Sequence, residues 1–364
     1  MVISKSIKPA RPLYAEISRV ALRHNYQIAK QCAPTAKAFA VVKANAYGHG
    51  IDIAAKALSA ADGFATVEIE SALRLRQLGV TQPILMLQGF FSPDELEVFA
   101  QHQLWTVVHN AAQIEVLARA QLARPLGVFV KMNSGMNRLG FAPQAFRAAV
   151  ERLAALTQVA HITLMTHFSS ADEKDGVAVP LKCFREHCAE LAYPTSLCNS
   201  AALIDYKEAH GDWVRPGIML YGASPFAARS AQALGLQPAM RLKSEIIAVQ
   251  DLKPGDAVGY GATFRADRPR RVGIVACGYA DGYPRIARSG TPIAVEGVRT
   301  RTLGRVSMDM LCAEITNIPS AAVGSPVELW GALIPIDEVA QGAGTVGYEL
   351  MCTVAPRVLL VEVE

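Results

Sequence analysis

The sequence predicts an α/β chain, a (β/α)8 TIM-type barrel followed by a mostly-β C-terminal domain. Two observations carry this. Between about residues 36 and 225, short apolar runs alternate with longer segments of helical period, the pattern of βα units around a parallel sheet. Beyond about residue 235 the apolar segments become short, β-rich and separated by Gly/Pro turns. A chain of 364 residues is long enough for a barrel and a smaller second domain.

In chain order, the candidate barrel strands are AFAVVK (38–43), GFATVE (63–68), PILMLQ (83–88), LWTVVH (104–109), LGVFVK (126–131), HITLMTH (161–167), TSLCN (195–199) and WVRPGIML (213–220). Segments of helical period such as SALRLRQLG (71–79) and QAFRAAVERLAAL (144–156) lie between them. Eight strands is the barrel number. The second domain contributes RLKSEIIAVQ (241–250), AVGYGATF (257–264), RVGIVACGYA (271–280), TPIAVEG (291–297), MLCAEI (310–315) and PVELWG (326–331). The expected division is therefore an N-terminal segment at 1–12 that pairs with the C-terminal domain, a barrel at 13–235 and a β-rich domain at 236–364.

Composition narrows the function classes. Hydrophobic residues make up 51% and charged residues 19%, which excludes a disordered or collagenous chain. The net charge of +4 arises from 36 basic and 32 acidic residues without a long basic run, so no nucleic-acid partner is expected. RPRR (268–271) reads as a solvated turn. No segment has the length of a membrane span or the form of a signal peptide, and a cytoplasmic location without membrane association is expected. The seven cysteines are scattered and contain no CxxC pair, so neither disulfides nor a metal site is expected.

In barrels of this kind, functional residues sit where the strands end. Lys43, Lys131 and His167 close three of the predicted strands, Asn199 and Ser200 follow the seventh, and Arg215 lies in the eighth. In AVVKANAYGHG (40–50), packing around the stem of Lys43 would desolvate its amine, lower its pKa and suit it to attack an aldehyde. The glycines and Tyr47 that follow make a loop for close approach. The segments CNSAAL (198–203) and WVRPGIMLYG (213–222) stand where barrels commonly bind phosphate, which makes Ser200, Gly217 and Ile218 candidates for a phosphate cup. A phosphate cup and a strand-end lysine together point to a phosphorylated aldehyde cofactor.

With these segments in view, the whole chain resembles the alanine racemase family. The matching motifs are VVKANAYGHG, VKMNSGMNRLGF, LMTHFSSAD, NSAA and VRPGIMLYG in the barrel, then VGYGATF, GYADGYPR and GRVSMDM in the second domain. The resemblance implies pyridoxal 5'-phosphate carried by Lys43, alanine as substrate, and a homodimer with shared active sites. It implies two opposed bases, Lys43 for D-alanine and Tyr260 of the neighbouring subunit for L-alanine. One group alone would mostly return the proton it took.

The same resemblance makes His167 the link from Tyr260 to Arg215, with Arg215 facing the ring nitrogen of the cofactor. Arg138 matches an arginine near the cofactor's phenolic oxygen and the substrate carboxylate, and Lys131 a lysine that some members carry as a carbamate to hold that arginine. Tyr348 in TVGYEL matches a phosphate contact. Tyr279 and Met308 match entrance residues supplied by the partner, with Asp309 holding the loop. Ser307 stands where some members have cysteine and is assigned no proton transfer. The competing readings are a serine or broad-specificity racemase, a decarboxylase on the same scaffold, and a non-catalytic carrier of the cofactor. The Tyr47, Tyr260, Tyr279 and Met308 set implies an entrance too cramped for the long polar substrates of decarboxylases. A carrier would lack the second domain.

Overall fold

The computed structural model describes residues 10–364, which form two compact units. One holds Asn25–Ala46 and Ala54–Leu220; the other holds the chain up to His24, Tyr47–Ile53 and Tyr221–Glu364. Strand β1 (Leu13–Ser18) lies in the latter. The former is a closed parallel barrel whose strands are β2 (Lys37–Val41), β3 (Gly63–Thr66), β4 (Ile84–Met86), β5 (Leu104–Val108), β6 (Leu126–Lys131), β7 (Val159–Met165), β8 (Thr195–Ser196) and β9 (Trp213–Val214). The ring closes where Lys37 and Ala38 of β2 pair with Trp213 and Val214 of β9.

The predicted strands fall on these eight because a parallel strand covered on both faces reads as an unbroken apolar run. Every residue of β3, β4 and β6 is buried. Rings fill the barrel interior: Phe39 stacks on Trp213 at 4.1 Å and meets Phe129 edge-on at 5.7 Å, while Trp105 meets Trp213 edge-on at 5.7 Å. The last two strands are much shorter than predicted. Pro216 has no N–H to extend a ladder, its carbonyl accepts from Val41 N at 3.1 Å, and the chain then enters a 3-10 turn over Ile218–Tyr221.

The other unit is built on one long strand, β10 (Met240–Leu252). Its remaining strands are β11 (Ala257–Val258), β12 (Phe264–Arg265), β13 (Arg270–Val275), β14 (Pro292–Val295), β15 (Val298–Leu303), β16 (Leu311–Glu314), β17 (Pro326–Trp330) and β18 (Leu359–Val363). The main sheet runs β13-β16-β15-β14-β17-β10-β1-β18, and β10 also pairs with β13 beyond a register shift at Ile246/Ala248. An N-terminal strand at Leu13–Ser18 joins the C-terminal sheet; of the segment 1–12 expected to pair with that domain, residues 1–9 lie outside the described residues. The alternation of Leu13, Ala15 and Ile17 into the core fixes its register.

Two other segments depart from the sequence reading. AVGYGATF is not one strand but the short β11 and β12 joined by a 3-10 turn at Tyr260–Ala262, where Gly259, Gly261 and Ala262 all have positive φ. RPRR is only partly a solvated turn. Arg270 is buried at the start of β13 and pairs with Glu314 and Asp267. Among the described residues, no helix is long and apolar enough to cross a membrane.

Candidate active site

The residues predicted for the site divide between the two units. In the barrel unit, Lys43 follows β2, Lys131 ends β6, His167 follows β7, and Arg215 follows β9. All four stand at the C-terminal ends of strands, the catalytic rim of such barrels. Arg215 is buried and donates from Nη1 to Ser196 Oγ at 2.6 Å, and from Nη2 to Thr166 O at 2.8 Å and Leu197 O at 3.0 Å. Nη2 also lies 3.4 Å from His167 Nδ1. These partners are all neutral, so the guanidinium brings a positive charge into the barrel mouth.

That charge is not alone. Burial first, then the charges of Arg215, Arg138 and Lys43, push the Lys131 amine down to about 8. Burial and the same cations together with Lys131 hold His167 well below the usual imidazole range, so the ring is neutral at physiological pH. A neutral imidazole that accepts from Arg215 at Nδ1 carries its proton on Nε2. Lys43, Lys131, Arg138, His167 and Arg215 therefore gather in one cationic cluster.

Opposite the lysine loop in the chain, Asn199 caps the helix Ser200–Asp205, its side chain accepting from Ala202 N at 3.0 Å. Ser200 is buried, and its hydroxyl oxygen accepts from Gly217 N at 2.9 Å and Met219 N at 3.4 Å. Its own proton remains to be donated. Ile218 opens the 3-10 turn, whose first N–H groups have no acceptor within the turn. The cup residues are thus adjacent, although the Gly217 amide already faces Ser200.

The backbone after Lys43 is left-handed. Ala44, Asn45, Ala46 and Tyr47 have φ between 51° and 55°, which costs a non-glycine residue roughly 1–2 kcal/mol each. Gly48 follows at φ 78°, where a Cβ would come within 2.0 Å of Met351 O. Neither alanine nor tyrosine signals such a turn in a sequence. Ala44 is exposed, so Ala44→Gly removes strain without removing packing. We expect up to about 1 kcal/mol of added stability after the entropy of a glycine in the unfolded chain is discounted. Urea denaturation checks it, and a loss of stability would contradict the strain.

In the sheet unit, Tyr47 is buried and stacks on Tyr221 at 4.7 Å, with Tyr348 tilted at 6.1 Å on its other contact. Burial pushes the Tyr47 hydroxyl far above its ordinary range, with Tyr348 and Cys352 adding to it, which keeps it protonated. His49 packs on Tyr221 at 4.6 Å and shares a hydrogen bond with Tyr47 O at 2.9 Å, a supporting place in the loop. Tyr260 is 72% exposed, Met308 53% and Tyr279 38%.

Sequence reasoning missed three residues here. Asp281, inside GYADGYPR, is fully buried and binds Arg11 and Arg357, while Arg357 also reaches Asp309. Only Asp281 stood in a motif that had been singled out. Arg11 and Arg357 carried no local signal, because their partner lies 270 and 76 residues away along the chain.

The comparisons with known proteins agree over nearly the whole length. The family description "Alanine racemase, N-terminal domain" matches residues 17–225, and "Alanine racemase, C-terminal domain" matches 239–361. An alanine racemase of Thiobacillus denitrificans is 56% identical over 353 residues, 97% of this chain and 96% of that one. A catabolic alanine racemase of Klebsiella aerogenes is 53% identical over 352 residues, 96% of this chain and 99% of that one. Among solved structures, the biosynthetic alanine racemase of Pseudomonas aeruginosa superimposes with a TM-score of 0.95 at 47% identity, over 97% of this chain and all of that one. With both domains matched in order and the same barrel and sheet beneath them, the chain belongs to the alanine racemase family.

Proposed function

We propose that this chain interconverts L-alanine and D-alanine with pyridoxal 5'-phosphate, in a homodimer whose active sites are completed by Tyr260 of the partner subunit. The observation that carries the reading is the cationic cluster at the barrel mouth, where the charges of Arg215, Arg138 and Lys43 add to burial in lowering the pKa of Lys131 and, together with Lys131, that of His167. Such a cluster suits an anionic aldehyde. The donor set fits the group part by part: an amine at Lys43, the Ser200 hydroxyl that Gly217 N holds in place, the Ile218 amide, and a buried guanidinium at Arg215.

When bound, pyridoxal 5'-phosphate supplies an electron sink that stabilises a carbanion at the α-carbon. Lys43 would hold its aldehyde and take the α-proton of D-alanine, while the phenolic oxygen of Tyr260 would take that of L-alanine. His167, neutral with its proton on Nε2, would donate toward that oxygen and is itself oriented by Arg215. Arg215 would face the ring nitrogen and, keeping its own protons, would limit electron withdrawal and with it transamination. Arg138 binds the substrate carboxylate. Lys131, whose pKa of about 8 leaves a sizeable neutral fraction, can add carbon dioxide at its amine nitrogen, releasing a proton to solvent, and hold Arg138 through the resulting carbamate anion. The exposed Tyr260, Tyr279 and Met308 support a surface completed by a second subunit, with Tyr279 and Met308 lining its entrance.

The test is an assay of both enantiomers of alanine and serine with added pyridoxal 5'-phosphate, with and without bicarbonate. Alanine racemisation in both directions is expected, with serine much slower and a lower KM when bicarbonate is present. Serine turned over as fast as alanine would move the reading to a broad-specificity racemase, and no effect of bicarbonate would remove the carbamate at Lys131.

A further inference from the structure

Two loops of the sheet unit carry the entrance residues Tyr279 and Met308, and their backbones are zipped together. Tyr279 N donates to Ser307 O at 3.0 Å and Ala280 N to Met308 O at 2.9 Å. The fit leaves no room at Gly278, where a Cβ would lie 2.3 Å from Ser307 O and 2.4 Å from Met308 O. Beneath this seam lies the Asp281 carboxylate, fully excluded from solvent.

Asp281 accepts from Arg11 Nη1 at 2.6 Å and Nη2 at 2.9 Å, from Arg357 Nε at 2.7 Å and from Gly278 N at 2.8 Å. Each arginine then reaches across to the second loop. Arg11 Nη2 donates to Asp309 O at 2.7 Å, and Arg357 Nη2 to Asp309 Oδ1 at 2.6 Å. Burial alone would raise the Asp281 carboxyl, but the hydrogen bonds from Arg11, Arg357 and Gly278 outweigh it and hold the group ionised, below the ordinary carboxylate range. A bidentate guanidinium fixes both distance and angle, which a lysine at the same place cannot do.

We infer that Arg11, Asp281 and Arg357 form a clamp of positioning residues that sets Tyr279 and Met308 for the substrate entrance of the neighbouring subunit's active site. This rests on the racemase reading given above. None of the three touches substrate; each acts through the two loops. To the backbone seam the two arginines add charge-assisted bonds that tie Asp281 of the Tyr279 loop to Asp309 of the Met308 loop. Arg11 also brings in the segment just before β1, so an element remote in sequence from the site tunes it.

The test uses the cofactor-loaded full chain. Arg11→Ala leaves Asp281 paired with Arg357 and Gly278, so the fold is expected to persist. The KM for alanine should rise about fivefold to tenfold with kcat changed less than about twofold, a loss of roughly 1–1.4 kcal/mol in substrate binding. Arg11→Lys, which keeps charge without the fork, should recover only part of this. In a Tyr279→Phe background the Arg11→Ala effect on KM should shrink, because the clamp acts through that side chain. A purely structural arginine gives the opposite pattern, a lowered Tm with an unchanged KM, or an effect fully additive with Tyr279→Phe, and either overturns the clamp. A wild-type chain that racemises alanine while Arg11→Ala matches its KM overturns the clamp alone; a wild-type chain without racemase activity overturns the reading beneath it as well.

Discussion

Lys43→Ala is expected to abolish both alanine turnover and the visible absorbance that a lysine-bound pyridoxal gives to the purified protein. The loss of a proton-transfer group alone lowers a rate by roughly 10²–10⁴. Here the same amine also holds the cofactor's aldehyde, so the expected loss lies at or beyond the upper end. Position makes Lys43 the site of attachment in preference to Lys131. Lys131 is buried at the end of β6, whereas Lys43 stands half-exposed at the start of a strained left-handed turn. Strain of this kind persists where the surroundings over-determine the backbone, and it aims a side chain that an ordinary helix start would turn elsewhere. Absorbance and turnover should therefore vanish together in Lys43→Ala and survive in Lys131→Met with only a raised KM. Absorbance retained by Lys43→Ala but lost by Lys131→Met would transfer the cofactor to Lys131.

The barrel was legible because its strands are apolar on both faces and its helices are amphipathic, so the alternation survives in the sequence without any knowledge of contacts. What failed was length. Thr195–Ser196 and Trp213–Val214 are only two residues each, since the runs TSLCN and WVRPGIML continue as apolar turns that bury the same way a strand does. AVGYGATF failed for a different reason: its hydrophobic pattern suits a strand, but departures to positive φ at Gly259, Gly261 and Ala262 turn it back on itself.

Site residues were legible where position along a strand determines which rim a side chain reaches. Lys43, Lys131, His167 and Arg215 belong to this group, and their mutual electrostatic influence matches one shared cluster. The groups that fix Arg215 were not legible, because Ser196 and Thr166 are 19 and 49 residues from it and look like ordinary strand-end polar residues. The clamp on Asp281 was invisible for the same reason at longer range. Long-range ion pairs leave no periodicity, and only the folded chain brings them together.

Tyr260→Phe offers the sharper examination of the two-base scheme, because its signature is an asymmetry. Enantiomers have equal free energy in water, so any variant must lower kcat/KM for racemisation equally in both directions. Exchange of the α-hydrogen with solvent obeys no such constraint. With the phenol gone, Lys43 can still remove and return the α-proton of D-alanine, whereas L-alanine has lost its base. Exchange from L-alanine should therefore fall by roughly 10²–10⁴ while exchange from D-alanine changes little. Equal losses for the two enantiomers would defeat the opposed-base arrangement.

The exposure of Tyr260, 72% of its surface on a short turn between β11 and β12, adds the second half of the expectation. A phenol so exposed in its own chain is placed to enter a second subunit's site. Mixing inactive Lys43→Ala and Tyr260→Phe chains under conditions of subunit exchange should thus restore activity. Each mixed dimer then has one site with both groups intact and one with neither. Random pairing in a twofold dimer makes half the dimers mixed, which sets the recovery at roughly a quarter of the wild-type level. No recovery despite proven exchange would place Tyr260 in the same chain's site and leave its exposure to be filled by movement within one subunit.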